Sequence, residues 1–425
     1  MVSLSPATVW IIAGLAVVVG YVANLLFKRY KIPDILVILL FGWLVGPSAF
    51  GIIGVNLRGL IESLIPFVSS LTLAIIMFNG GLELDLKEIK KVVKTTVFLS
   101  VFGMFLVVVT ITMFFLIVLN ADLITSIFSG VVFGSTSAAV VLPLISRMKC
   151  SSRIKTIITL ETAITDVLVV GLGSCIVVLM AQSQGPGQSL ITLMTSIIIA
   201  IVLGTISGLA WLYATPFLSR FRYFYILTMA AVLLLFSACI ILAPDGGNVI
   251  GVLIFGLILS NSHNLPPLPG RKNNDIHLGE EFKLLNDEMS FFIKVFFFTY
   301  LGVFVSTLNL APLLIYGLAI VLILFGIRQI MIHLVRKRAA LDDVDVLVMR
   351  TMFPRGLCTV ITALLPFTSG VTIIFDQNAT LGTVTLVIII TTILASVGAA
   401  LVEFKLKKDG GNVRLDDKAE AGPVE

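Results

Sequence analysis

Long apolar runs separated by short polar segments dominate the chain. A helix needs about 20 apolar residues to cross a hydrocarbon core of about 30 Å. The pattern therefore predicts an all-α integral membrane protein. Thirteen intervals have the length and apolar character of membrane helices, at 8–27, 33–54, 61–80, 95–119, 123–146, 156–181, 189–216, 224–243, 246–262, 288–306, 310–335, 346–367 and 380–404.

The basic residues between these intervals predict the topology. If the N-terminus is outside, 24 of the 29 Lys and Arg residues fall in inside loops, and only Arg58 falls in an outside loop. Lys and Arg gather on the cytoplasmic side of membrane proteins. We therefore expect a multi-pass protein of the plasma membrane, or inner membrane in bacteria, with its N-terminus outside and its C-terminus in the cytoplasm.

An odd number of crossings also suggests an internal symmetry. Six helices, a single linker helix at 189–216 and six more helices would place the two halves in opposite orientations. Inverted repeats of this kind recur among secondary transporters. This expectation rests on the topology alone.

The composition agrees with a membrane protein and excludes several other classes. Hydrophobic residues make up 58% of the 425 residues and charged residues 12%, far from the balance of soluble domains. The sequence has no nucleotide-binding, nucleic-acid-binding or hydrolase motif, so we expect no cofactor, no nucleic-acid partner and no enzymatic activity. The four cysteines, expected to be free thiols that behave as small apolar residues, are Cys150, Cys175, Cys239 and Cys358.

Ionisable residues inside the predicted spans are candidates for function because burying a charge in a bilayer costs free energy. Only two acids lie deep in a span, Glu161 and Asp166, both in the sixth predicted helix. At about 100° per residue they point about 140° apart, so one could be held by a buried cation while the other titrates. Their spacing alone leaves open which acid has which role. The basic residues within spans are Lys294, Arg328, Arg350 and Arg355.

Other acids fall near predicted helix ends, where we expect the membrane interface to solvate them. They are Asp34, Glu62, Asp287, Glu288 and Glu403.

Two predicted spans look broken. The fifth contains GSTSAAVVLP (134–143), and the twelfth contains Pro354, Gly356 and Pro366. Broken helices at matching places in two halves indicate a binding site near the middle of the membrane, because freed carbonyls and hydroxyls can coordinate a cation.

With these residues in place, the chain resembles the monovalent cation/proton antiporter superfamily. This group contains prokaryotic sodium/proton and potassium/proton exchangers and is related to the animal sodium/proton exchangers. The markers of the resemblance are IPDILVILLFGWLVGP (32–47), FNGGLELDLKEIKK (78–91), GSTSAAVVLPL (134–144), ETAITD (161–166), FGIRQIM (325–331) and FPRGL (353–357).

The resemblance implies roles for the acids on the sixth predicted helix. Asp166 would bind a monovalent metal cation, Na+ or K+, and a proton in turn, whereas Glu161 would form a structural ion pair with Arg328. Thr165 stands where the family carries Asn or Asp, which leaves ion selectivity open. Arg355 would shape the electrostatic field of the cytoplasmic funnel, and Lys294 matches no charged family position.

The fifth predicted helix departs from the family as well. It has Ser135, Thr136 and Ser137 in place of the Thr-Asp-Pro of many electroneutral members. We expect these hydroxyls, with Thr165, to help Asp166 coordinate the cation.

The resemblance further implies a homodimer in the lipid bilayer. A transmembrane domain at 1–408 would contain core helices at about 95–181 and 310–404 and dimerisation helices at about 8–80 and 224–306, joined by the linker helix 189–216. The polar segment 409–425 is expected to be a disordered cytoplasmic tail.

These observations favour a secondary transporter that exchanges Na+ or Li+, or K+, for H+ by competition of cation and proton for Asp166. With Glu161 permanently paired, one titrating acid predicts electroneutral 1:1 exchange. The alternatives are a cation-coupled symporter of a small organic anion and a cation channel.

Overall fold

The computed structural model has no strand among the residues that it describes. These residues are 6–30, 33–53, 58–83, 93–146, 148, 151–182, 186–219, 222–243, 247–264, 280–338, 341–368, 371 and 376–408. The predicted tail at 409–425 lies outside them.

Helices form the first half of the chain and each overlaps an interval predicted from the apolar runs. They are α1 (Pro6–Tyr30), α2 (Asp34–Val45), α3 (Arg58–Glu83), α4 (Val93–Val118), α5 (Leu123–Val132), α6 (Ala138–Ser146) and α7 (Ser152–Gln182).

The second half begins with a long connecting helix that contains the predicted linker. Its helices are α8 (Pro186–Leu218), α9 (Phe224–Leu242), α10 (Gly247–Ser260), α11 (Glu280–Val305), α12 (Leu314–Arg338), α13 (Asp343–Thr351), α14 (Leu357–Thr368) and α15 (Gln377–Lys408).

Eight of the described helices are long and apolar enough to cross a membrane, and several shorter apolar helices accompany them. Their outer faces are strongly apolar: Trp10 is 76% exposed and Ile241 is 77% exposed. Because a lipid-facing surface needs no polar cover, this exposure fits a multi-pass membrane protein. The count of thirteen crossings stays a prediction.

The second predicted span, 33–54, is shorter than expected. Helix α2 ends at Val45, and turns occupy the residues from Gly46 to Ile53. Pro47 lacks an amide hydrogen and cannot continue the helical bonding, and Gly51 adopts a left-handed φ of +62°. Only 12 residues remain helical.

Two close helix contacts join the halves of the chain. Helix α3 packs on α10, and α2 packs on α11. At each contact a glycine from either side removes the side chain that would separate the backbones: Gly81 with Gly256, and Gly42 with Gly302. A Cβ built on Gly42 would lie 2.1 Å from the carbonyl oxygen of Thr299. Counted within each half, α2 and α10 are the second helices and α3 and α11 are the third. Each contact therefore pairs the second helix of one half with the third helix of the other, as an inverted repeat would require.

Candidate functional site

The first unwound segment lies between α5 and α6 at residues 133–137. Gly134 has a high entropic cost in a helix, and the three following hydroxyl residues can bond to nearby backbone groups in place of helical ones. Helix α6 then begins, with the Ser137 carbonyl accepting the Val141 amide at 3.0 Å. Of the segment 134–143, in which a break was predicted, only residues 134–137 are unwound.

The second unwound segment lies between α13 and α14 at residues 352–356. Pro354 has no amide hydrogen to donate and disfavours a helical conformation of the preceding residue. Pro366, which was also expected to mark the break, lies inside α14 instead.

The two unwound segments cross in direct contact. The Ser137 amide donates to the Pro354 carbonyl at 2.8 Å. A Cβ built on Gly356 would lie 2.1 Å from Ser137 Oγ, so only glycine permits this approach. Backbone groups that leave their own helices are therefore paired across the crossing, as a low-dielectric environment requires.

Arg355 joins the second segment to the first. Its Nη1 donates to the Ser135 carbonyl and, at 3.2 Å, to Thr136 Oγ1. Its own amide donates to Thr391 Oγ1 on α15 at 3.0 Å. The buried guanidinium thus places a positive charge against a carbonyl near the C-terminal end of α5, where the helix dipole is negative.

Glu161 on α7 faces Arg328 on α12. Both side chains are buried, and Nη1 and Nη2 of Arg328 donate to the two carboxylate oxygens of Glu161, the second at 3.2 Å. Nε of Arg328 donates to the Met349 carbonyl at the end of α13 at 2.7 Å. This bidentate geometry fixes both groups and ties α7 to α12 and α13.

Asp166 is in a different environment on the same helix. It is 5% exposed, and its Oδ1 has no hydrogen-bond partner in the part of the chain that the structure describes. Ser135 and Cys358 lie beside the carboxylate, and Arg355 is the nearby cation. The Ser135 hydroxyl makes no hydrogen bond of standard geometry among the described residues, although it is close enough to the Asp166 carboxylate to interact with it. An unpartnered carboxylate oxygen next to an unpartnered hydroxyl can accept a proton or a small cation.

Thr165 connects α7 to the first unwound segment. Its hydroxyl donates to the carbonyls of Glu161 and Thr162, at 2.9 and 3.1 Å, and accepts the Thr136 amide at 3.2 Å. The Thr165 hydroxyl therefore accepts a hydrogen bond from the Thr136 amide, which has no helical partner because the helix is unwound there. All eight residues predicted for the site, including the three hydroxyls at 135–137, gather at this one crossing.

A small cavity opens beside the crossing. Thr136, Thr165, Glu161, Arg328 and Arg355 line it, but Asp166 does not. Its far wall is the π-helical turn Phe98–Phe102 of α4. In that turn Ser100 is fully buried and its hydroxyl has no partner among the described residues. Sequence analysis missed Ser100, because a π-helical turn leaves no pattern in an apolar run; such turns are frequent at functional sites.

Asp34 lies at a helix end, as expected, but it is not solvated there. Asp34 is 8% exposed, and its carboxylate accepts Lys294 Nζ at 2.5 Å across the contact between α2 and α11. Lys294, whose role was open, is thereby paired. Because a buried charge needs a partner, α2 and α11 each supply one member of the pair. This pair lies outside the crossing of the unwound segments.

Comparison with known proteins identifies a matching family and several relatives. The family model described as "Sodium/hydrogen exchanger, transmembrane" matches residues 14–404. Na(+)/H(+) antiporter 1 of Methanocaldococcus jannaschii is 26% identical over 325 residues, covering 73% of this chain and 71% of its own. The probable Na(+)/H(+) antiporter 2 of the same organism is 24% identical over 297 residues, covering 68% and 67%.

A solved structure shares the fold. The sodium proton antiporter MjNhaP1 from M. jannaschii at pH 8 superposes with a TM-score of 0.75 at 21% identity, over 93% of this chain and 97% of that one.

Proposed function

Because the chain belongs to the sodium/hydrogen exchanger family, a family of transporters and not of enzymes, we propose that it exchanges Na+ for H+ across the membrane at Asp166. The observation that carries this proposal is the buried carboxylate with an unpartnered oxygen at the crossing of the two unwound segments. A deprotonated Asp166 can bind a cation, whereas a protonated Asp166 cannot. Cation and proton therefore compete for one site.

The hydroxyl residues around Asp166 differ in the hydrogen bonds that they already make, and so in whether they can coordinate a cation. The Ser135 hydroxyl lies next to the Asp166 carboxylate and makes no hydrogen bond of standard geometry among the described residues, so we assign it the most direct contact with the cation. The Thr136 hydroxyl already accepts from Arg355, and the Thr165 hydroxyl holds the Thr136 amide. Ser137 is packed against Gly356. These three would position the segment and complete the coordination shell with backbone carbonyls.

Strict exchange follows if the core moves only when Asp166 is neutral. An unpaired carboxylate is costly to move through a low-dielectric barrier, whereas a protonated or cation-bound one is not. Both oxygens of Glu161 bind Arg328, so we assign exchange to Asp166 alone. We therefore propose electroneutral exchange of one proton per cation, with Li+ and K+ as further candidate substrates.

The remaining expectations belong to the same proposal. The N-terminus would be outside and the C-terminus in the cytoplasm of a plasma-membrane protein. Helices α4–α7 and α12–α15 would form the moving core of a homodimer, with Arg355 shaping the field of its cytoplasmic funnel. The family assignment favours exchange over the symporter and channel alternatives.

Proton flux in sealed proteoliposomes tests the proposal. A pH-sensitive dye would report proton movement as Na+, Li+ and K+ are added in turn. The Na+ and Li+ measurements would be repeated with the membrane potential clamped by valinomycin in equal K+ on both sides. We expect cation-driven proton movement that is indifferent to the potential.

The matching variant is Asp166→Asn, which keeps the shape of the side chain but removes the titrating charge. We expect it to abolish exchange with every cation, while the exposed acid Glu288, changed to Gln, leaves the rate unchanged. Appreciable cation-driven flux in Asp166→Asn would overturn the assignment of Asp166. Absence of flux in the unmodified protein would overturn exchange itself.

A further inference from the structure

A thiol lies at the centre of the candidate site. Cys358 is the second residue of α14, directly after the second unwound segment, and its side chain is free and 3% exposed. Its thiol lies within hydrogen-bonding reach of the Asp166 carboxylate, which Ser135 of the first unwound segment also approaches. From the sequence we expected Cys358 to behave as a small apolar residue, which does not explain why its thiol lies next to a buried carboxylate.

The packing of α14 on α7 supports the placement of Cys358 independently. Thr362 lies four residues further along α14 and so shares the face of Cys358. A Cβ built on Gly173 of α7 would lie 2.3 Å from Thr362 Cγ2. This face of α14 therefore packs directly against α7, and Cys358 meets α7 closer to the crossing, where Asp166 lies.

The chemistry of sulfur distinguishes this position from the others around Asp166. The remaining candidate donors are carboxylate, hydroxyl and carbonyl oxygens, which suit hard cations. A thiol is soft, bulky and only a weak acceptor. An alkali cation held by Asp166 thus has oxygen donors from the first unwound segment and a sulfur from α14 as neighbours.

We propose that Cys358 is a specificity-determining residue of the exchange reaction. It occupies the α14 side of the coordination shell with a group that does not ligate alkali cations. This weakens binding most for the ions that demand the strongest oxygen coordination, in the order Li+, Na+, K+. The inference rests on the proposed function, because it assumes that the cation binds at Asp166.

Replacing the sulfur with oxygen tests the proposal. In proteoliposomes, Cys358→Ser should lower the half-saturating concentration of Li+ by about tenfold and of Na+ by about fivefold, roughly the effect of one additional favourable polar contact. K+ should change least. Cys358→Ala adds no ligand and should stay within about twofold of the unmodified protein for all three ions. Cys239→Ser is the matched control, since Cys239 is a buried free thiol on α9.

A second measurement does not depend on transport. Cation binding to the folded protein raises its thermal unfolding midpoint, so the midpoint is followed against LiCl and NaCl, with choline chloride as reference. We expect Cys358→Ser to reach half of the stabilisation at a lower Li+ concentration than the unmodified protein. Asp166→Asn should lose the cation dependence.

The two proposals fail in different ways. Equal half-saturation for Cys358→Ser and the unmodified protein, or equal shifts for the Ser and Ala variants, would overturn the role of Cys358 and leave exchange at Asp166 intact. If the unmodified protein moves no protons, the proposed function fails, and the thermal measurement still decides whether the residue at position 358 affects cation binding.

Discussion

Glu161 and Asp166 are five residues apart on α7, yet their surroundings are opposite. Arg328 donates two hydrogen bonds to the Glu161 carboxylate, whereas one oxygen of Asp166 has no partner among the described residues. The helical spacing of the two acids predicts that they have different neighbours. It does not predict which acid meets the arginine, because Arg328 is 167 residues away in the chain and only the family resemblance connects the two.

Glu161→Gln tests the structural role of the ion pair. The change leaves the Arg328 charge buried without its counter-charge, and breaking such a pair typically costs about 3–5 kcal/mol. We expect a marked fall in the thermal unfolding midpoint of the purified protein in detergent.

The control is the double variant Glu161→Gln with Arg328→Gln, which removes both charges. It should be more stable than the single variant, because no uncompensated charge remains. A single variant as stable as the unmodified protein would show that the pair contributes no stability.

Asp34 marks the limit of residue-by-residue prediction. Its position at the start of a predicted span suggested solvation at the interface, but Lys294 binds it from 260 residues away. Nothing in the local sequence of α2 indicates that α11 passes beside it. The burial of Ser100 and the position of Cys358 beside Asp166 were not predicted either, because each residue stands in an apolar run and acquires its neighbours through packing.

At the scale of elements, the positions of both breaks were predictable and their contact was not. Gly134, the hydroxyls after it, Pro354 and Gly356 are residues that weaken a helix. The sequence therefore indicates where the helices unwind. That the Ser137 amide bonds to the Pro354 carbonyl depends on how two distant segments cross.

Gly356→Ala tests this crossing. The added methyl group would lie 2.1 Å from Ser137 Oγ, so the segments must separate and lose the hydrogen bond between them. We expect loss of most of the exchange activity in proteoliposomes and a lower unfolding midpoint. Adding Ser137→Gly removes the obstructing side chain and should restore part of the stability.

Gly326→Ala is the matched control. A Cβ at Gly326, in the middle of α12, meets nothing within 4 Å, and alanine favours a helix over glycine by about 1 kcal/mol. This variant should be as stable as the unmodified protein or more so. Equal behaviour of the two alanine variants would contradict the close crossing.

At the scale of the whole molecule, paired helix contacts agree with the inverted repeat that the sequence predicts. The α2–α11 and α3–α10 contacts both depend on facing glycines, and both unwound segments occur in equivalent helices of the two halves. The number and order of apolar runs predict such a symmetry, which stays a prediction together with the count of thirteen crossings. The shortness of α2 was not predicted, because an apolar stretch continues past Val45 and only the turn at Gly46–Gly51 ends the helix.

Lys294→Met tests whether the ion pair between α2 and α11 affects cation binding at the candidate site. The change leaves the Asp34 carboxylate buried and unpaired, so stability should fall, while the cation concentration for half-maximal exchange should not change. The double variant Asp34→Asn with Lys294→Met should recover stability. A shift in half-saturation for the single variant would show that the α2–α11 pair acts on the site.

The hydrogen bond from Ser137 to Pro354 also has a consequence for biosynthesis. A ribosome that has made the first broken helix has not yet made its partner, which lies more than 200 residues later in the chain. During that interval the Ser137 amide lacks the Pro354 carbonyl, and the hydrocarbon core of the bilayer offers no other acceptor. The first unwound segment must therefore stay in the insertion machinery, or remain hydrated, until the second unwound segment has been synthesised and inserted. Substitutions at Pro354 or Gly356 would then reduce the yield of inserted protein even where the finished molecule tolerates them.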